Sequence, residues 1–231
     1  MNYVLLSLFL FYIGAFGKDI TFSSCYKGYY FFIPVIKNCI SYVEKEGEGR
    51  FTATVETIGI LKAFKDIKYR GFALSINDKS KKFFFVQREK DFSVEYWYEF
   101  KDALILTKKS IKRGSVIRRF SKVVPNEEGY LDPFTATVLL FKTFRYEKEG
   151  FLSIFFDGEK YKIPYKFSKR EEIRVGSKSY RCYVLVLEPR LQGEGLIKTK
   201  GKWKIWVDER TGFPVKIRAV FDKGVIVLNK I

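Results

Sequence analysis

Apolar and polar positions alternate along much of this chain. In Arg50–Thr57, Phe51, Ala53 and Val55 fall on one side and Thr52, Thr54 and Glu56 on the other. A period of two predicts a half-buried strand. Asp91–Phe100 shows the pattern more strongly. Phe92, Val94, Tyr96, Tyr98 and Phe100 share one face, opposite Ser93, Glu95, Trp97 and Glu99. Leu104–Lys108 is its expected hairpin partner. Further on, Phe151–Phe156 runs into Asp157-Gly158 and then Lys160–Phe167, a strong hairpin signal. Glu172–Val175 turns at Gly176 into Tyr180–Leu187, whose apolar run beyond Cys182 predicts a strand covered on both faces. A loop at Gly193–Gly195 precedes Lys202–Asp208. Glu209–Phe213 turns into Pro214–Phe221, and Asp222-Lys223-Gly224 turns into Val225–Leu228.

The period changes once. Asp132–Phe144 predicts a helix: Asp132 can accept hydrogen bonds from the first free N–H groups, and Pro133 suits the first helical position. Phe134, Val138 and Phe141 make its apolar stripe. The pattern therefore predicts an all-β protein: a single curved antiparallel sheet of about ten strands, half-barrel or barrel, with one helix on its concave side.

Met1–Gly17 breaks the alternation. It has no charged side chain, is almost wholly apolar, and ends Ala15-Phe16-Gly17. This pattern predicts a secretory signal peptide cut before Lys18, leaving one β-rich domain over residues 18–231 in the periplasm. A retained membrane anchor and a lipoprotein signal ending at Cys25 are the alternatives.

Composition narrows the chemistry. The chain has no histidine, which excludes Ser-His-Asp and Cys-His catalysis and histidine-ligated zinc or non-haem iron in their usual forms. Cys25, Cys39 and Cys182 allow one disulfide in an oxidising compartment, and Cys25 and Cys39 are the closest pair in sequence. Glu127-Glu128 and Glu171-Glu172 are adjacent, so on strands their side chains diverge. No cofactor and no enzymatic activity is expected. Lys and Glu enrichment fits a thermophilic source, and biased base composition explains it equally.

The formal charge is +17, and Lys62–Lys122 holds 17 basic residues against 7 acidic ones. Such a field attracts anionic partners. Export argues against nucleic acid and for lipid headgroups, with peripheral contact at a membrane surface. The aromatic face of Phe92, Tyr96, Tyr98 and Phe100 is either sheet core or the wall of an apolar cavity suited to acyl chains. Lys108, Lys109, Lys112, Arg113, Arg118 and Arg119 follow as a hairpin tip, either solvated or holding a phosphate or sulfate headgroup.

The C-terminal half carries Phe156-Asp157-Gly158-Glu159-Lys160, Tyr180-Arg181-Cys182-Tyr183-Val184, Trp203-Lys204-Ile205-Trp206-Val207-Asp208 and Gly212-Phe213-Pro214-Val215-Lys216-Ile217. With Asp132-Pro133-Phe134-Thr135-Ala136, these resemble a large family of exported bacterial proteins classed only as a domain of unknown function. The resemblance covers most of Ile33–Leu228, anchored at Cys182, Trp206, Asp208, Pro214 and Val215. It implies a curved antiparallel sheet wrapped round a helix, similar to the lipoprotein carriers LolA and LolB. It implies no catalytic residues. The expected function is an exported envelope binding or carrier protein for a lipid-like or amphipathic anionic ligand, using Phe92, Tyr96, Tyr98, Phe100, Lys108, Lys109, Arg113 and Arg118. The alternative is an envelope assembly protein that docks to another protein through its basic face or a sheet edge.

Overall fold

The computed structural model describes residues 19–193, 198–222 and 224–231. The expected signal segment, Met1–Gly17, lies outside the described residues, as do parts of the loop at 193–195 and the turn at 222–224. Fourteen strands, where the pattern predicts about ten, form one antiparallel sheet. They are β1 (Ile20–Tyr30), β2 (Ile33–Lys45), β3 (Glu48–Thr57), β4 (Lys68–Ile76), β5 (Lys79–Arg88), β6 (Phe92–Lys101), β7 (Leu104–Arg113) and β8 (Val116–Pro125), then β9 (Glu149–Phe156), β10 (Glu159–Val175), β11 (Lys178–Leu187), β12 (Trp203–Asp208), β13 (Pro214–Phe221) and β14 (Gly224–Lys230).

The additional strands lack a clean alternation. β5 contains Phe83-Phe84-Phe85-Val86. Phe83 and Phe85 enter the core, whereas Phe84 packs outside against Trp97 at 5.2 Å. β8 sets Arg118 beside Arg119, so one arginine faces each side. The basic run expected as a hairpin tip thus belongs to two full strands, with only Gly114-Ser115 between them.

Consecutive strands within β1–β8 and within β9–β14 pair as neighbours. Between these two runs, β14 pairs with β1. The order is therefore β8 back to β1, then β14 back to β9. The sheet edges are β8 and β9, and the chain between them carries the longer of the two helices among the described residues. The shorter, α1 (Gly59–Phe64), joins β3 to β4 and is not expected from the pattern: six residues are too few to show a helical period.

The longer helix, α2 (Pro133–Thr143), forms where expected. Asp132 Oδ1 accepts from the Phe134 and Thr135 N–H groups at 2.9 and 3.0 Å. Its Oδ2 accepts from the Thr135 and Ser80 hydroxyls, both at 2.6 Å, so the cap also fastens the helix to β5. Ala136, Leu140 and Phe144 form the deepest stripe, while Phe134 and Phe141 pack at its margin. Phe134 lies over Gly71, where a Cβ would come within 2.4 Å of its ring.

Inward-facing residues of β1 to β13 pack with α2 into one core. A smaller cluster of Cys182, Val184, Trp206 and Val215 lies on the outside of β11–β13. Among the described residues, no helix is long and apolar enough to cross a membrane.

Candidate functional site

Because the strands alternate in direction, the β1–β2, β5–β6, β7–β8 and β9–β10 turns, together with α1, all lie at one end of the curled sheet. This end is the mouth. The inward face of β6 carries Phe92, Val94, Tyr96, Tyr98 and Phe100, the set that alternation predicts. Tyr96, Tyr98 and Phe100 are fully buried in the core. The reason lies in β9. Phe155 meets the Tyr98 ring edge-on at 5.1 Å, and Phe156 covers Tyr96 at 5.2 Å.

The Asp157-Gly158 turn completes this plug. The Asp157 N–H donates to Tyr98 Oη at 2.9 Å, and Tyr96 Oη donates to Asp157 Oδ2 at 3.2 Å. Lys109 reaches inward from β7, ion-pairs with Asp157 and sits 5.3 Å from the centre of the Tyr96 ring. Burial raises the Tyr98 phenol far above its usual range, so it stays protonated at any physiological pH. The concave side is filled by protein at this level.

Toward the mouth the plug stops, leaving a wide, open cleft of about 900 Å³. Phe92 and Arg113 lie in its wall, with the guanidinium 5.4 Å from the ring centre. Lys65, Lys160, Arg190 and Lys198 join Arg113 there, against Glu89, Asp157 and Glu159. Glu89 is paired with Lys65 at 3.1 Å, and Asp157 with Lys109. Tyr161 fixes the far wall: its hydroxyl donates to the Gln192 carbonyl at 3.1 Å. The cleft can therefore hold an anionic group against several cations, with aromatic surface beside it.

Of the eight residues singled out by sequence, the cleft gathers Phe92 and Arg113. Tyr96, Tyr98, Phe100 and Lys109 lie in or against the packed interior. Lys108 is exposed on the outer face of β7, and Arg118 is exposed on β8. Lys65, Lys160, Arg190 and Lys198 escape sequence reasoning because each comes from a different segment, and only the sheet topology brings them together.

Among the described residues, no group of three or more Cys, Asp or Glu side chains could hold a metal ion. Cys25 and Cys39, directly opposite on β1 and β2, form a disulfide. Cys182 is buried, and burial pushes its thiol pKa up to about 12, helped by Asp208, Glu209 and Glu171.

The fold has a solved counterpart. The crystal structure of a beta-barrel-like protein of domain of unknown function DUF1849 from Brucella abortus superposes with a TM-score of 0.55, over 93% of this chain and 97% of that one, at 11% identity. At that identity the likeness is one of fold. No protein of curated function matches the chain. The model of the proteins of unknown function grouped as DUF3108 matches residues 26–229, and the chain belongs to that family.

Proposed function

We propose that this protein is an exported, periplasmic binding or carrier protein for an amphipathic anionic ligand, which it takes at the mouth. The supporting observation is the cleft: about 900 Å³ of open space walled by Arg113, Lys160, Arg190 and Lys198 beside Phe92 and Tyr161. The cations hold a phosphate or sulfate headgroup, and the rings lie along the first methylenes of the chain. A curled sheet round a helix also suits a carrier of the LolA and LolB type. Here the helix and the β9 plug fill the concavity, so the ligand sits above the plug.

Calorimetric titration of the chain from Lys18 with dodecyl phosphate tests this. We expect binding that weakens with salt, and a loss of about tenfold or more when Arg113 and Lys160 are both changed to Glu. Absence of binding to the unaltered chain would remove the proposal.

A second reading rests on β8. Every residue of that strand except Val124 is exposed, and its outer edge has no partner strand among the described residues. An edge of this kind can accept an extended segment of another protein.

A further inference from the structure

We propose that the mouth docks onto an anionic lipid surface, inserting the apolar side chains of the β1–β2 turn and α1, with the β7–β8 tip beside the headgroups. The proposal deepens the proposed function, because it names the surface that the cleft faces.

Four strongly exposed apolar side chains gather at this end, among them Phe32 and Phe64, the two most exposed large apolar side chains among the described residues, while Tyr146 and Phe151 are exposed toward the opposite end. Phe32 is 92% exposed and Phe31 75%, at the tip between β1 and β2. Phe64 is 83% exposed and Ile60 62%, four residues apart on one face of α1. The two loops are neighbours: the Ile58 N–H donates to the Val35 carbonyl at 2.9 Å. Val116 and Ile117 protrude from the β7–β8 tip at the same end.

Packing within the fold accounts for little of this exposure, apart from an edge-on contact of the Phe31 ring with Tyr30 at 4.9 Å. α1 buries none of its side chains, and no side chain caps its N-terminus. Phe31 sits at φ +55°, in the left-handed region that tight turns normally fill with Gly or Asn. A bulky ring held there and turned outward is a costly choice for a turn in water. Inserted among acyl chains, the same ring gains the burial that the fold denies it.

Charge selects the surface. Lys62 lies on α1, Arg113 and Arg118 near the β7–β8 tip, and the cleft opens between them with its own lysines and arginines. Apolar tips surrounded by cations suit an anionic bilayer, where each part meets its complement. A second copy of the chain would bring like charge against like. The apolar groups stand on separate loops round an open cleft, a form that suits a soft planar layer better than one rigid protein face.

The test is co-sedimentation of the chain from Lys18, which contains every described strand and helix, with phosphatidylglycerol-containing vesicles and with pure phosphatidylcholine vesicles. We expect partition onto the anionic vesicles only, weakening with salt. Phe32→Asp with Phe64→Asp should lower it by about tenfold or more while leaving the thermal melt and the dodecyl phosphate titration unchanged. In the Phe32→Trp variant, indole fluorescence should shift to the blue on vesicle addition. Vesicle binding undiminished in the double Asp variant, or no shift of the indole emission, would overturn the proposal. So would capture of a protein partner by these loops with no vesicle binding. Loss of dodecyl phosphate binding with vesicle docking intact would strike the cleft reading alone.

Discussion

Lys109 on β7 and Asp157 in the β9–β10 turn form an ion pair, 48 positions apart in sequence, that ties the β9 edge into the opposite half of the sheet. Both side chains are largely shielded, so neither charge can fall back fully on water. Asp157→Asn keeps a residue that tolerates the turn's positive φ and removes only the charge. Urea denaturation should show a loss of about 1–3 kcal/mol. An unchanged midpoint would mean that the aromatic plug holds the edge without help.

Lys142, in the last turn of α2, reaches Asp78 at 2.6 Å and Glu44 at 2.7 Å. Burial alone would lower its pKa, but hydrogen bonds and charge from Asp78 and Glu44 outweigh it and leave the value above the ordinary 10.5. A lysine raised in the folded state stabilises fully below the unfolded value and loses that contribution as pH rises through the folded one. Stability should therefore decline from about pH 10.5 upward. Lys142→Met should be less stable at pH 8 and should lack this part of the alkaline decline, as followed by thermal melts across pH.

Asp132 has no exposed surface and accepts four hydrogen bonds, two from backbone and two from hydroxyls. Replacing it with Ala leaves those donors buried and unpaired. We expect a loss of about 2 kcal/mol or more in chemical denaturation, larger than for an exposed cap.

The cysteines should behave differently from one another. With its thiol near pKa 12, Cys182 has about one thiolate in ten thousand at pH 8, inside a packed cluster. Ellman's reagent should find no reactive thiol in the folded, unreduced protein and one after unfolding. Closing the 14-residue separation between Cys25 and Cys39 should add about 3 kcal/mol, measured as the difference in unfolding free energy with and without reductant.

The sequence reveals local features and misses long-range ones. The alternation in Asp91–Phe100 correctly predicts which five side chains of β6 face inward, because a strand's period is a property of its own backbone. Asp132-Pro133 marks the start of α2, and Asp157-Gly158 the turn after β9, for similar reasons. What covers the inward face depends on pairing between distant segments. Phe155 and Phe156 lie 57 and 60 positions beyond Tyr98 and Tyr96, and nothing in either stretch indicates that they meet. From sequence the β6 tyrosines consequently read as core by default, with cavity wall as the alternative. The cleft suffers the same loss of information, since Lys65, Arg113, Lys160 and Arg190 become neighbours only after the sheet has curled.

The pairing of β1 with β14 also sets an order of events during folding. Every other strand finds a partner next to it in sequence, by local hairpin closure. β1 finds β2 at once, but its other edge waits for a partner such as Lys230, which lies opposite Tyr26 and 204 positions later. Until then the nascent sheet has an open flank of unsatisfied N–H and C=O groups, the kind of template on which chains aggregate. A protein built this way benefits from a holding chaperone until the last strand emerges, and the slow step of its refolding should be the one that seats β14.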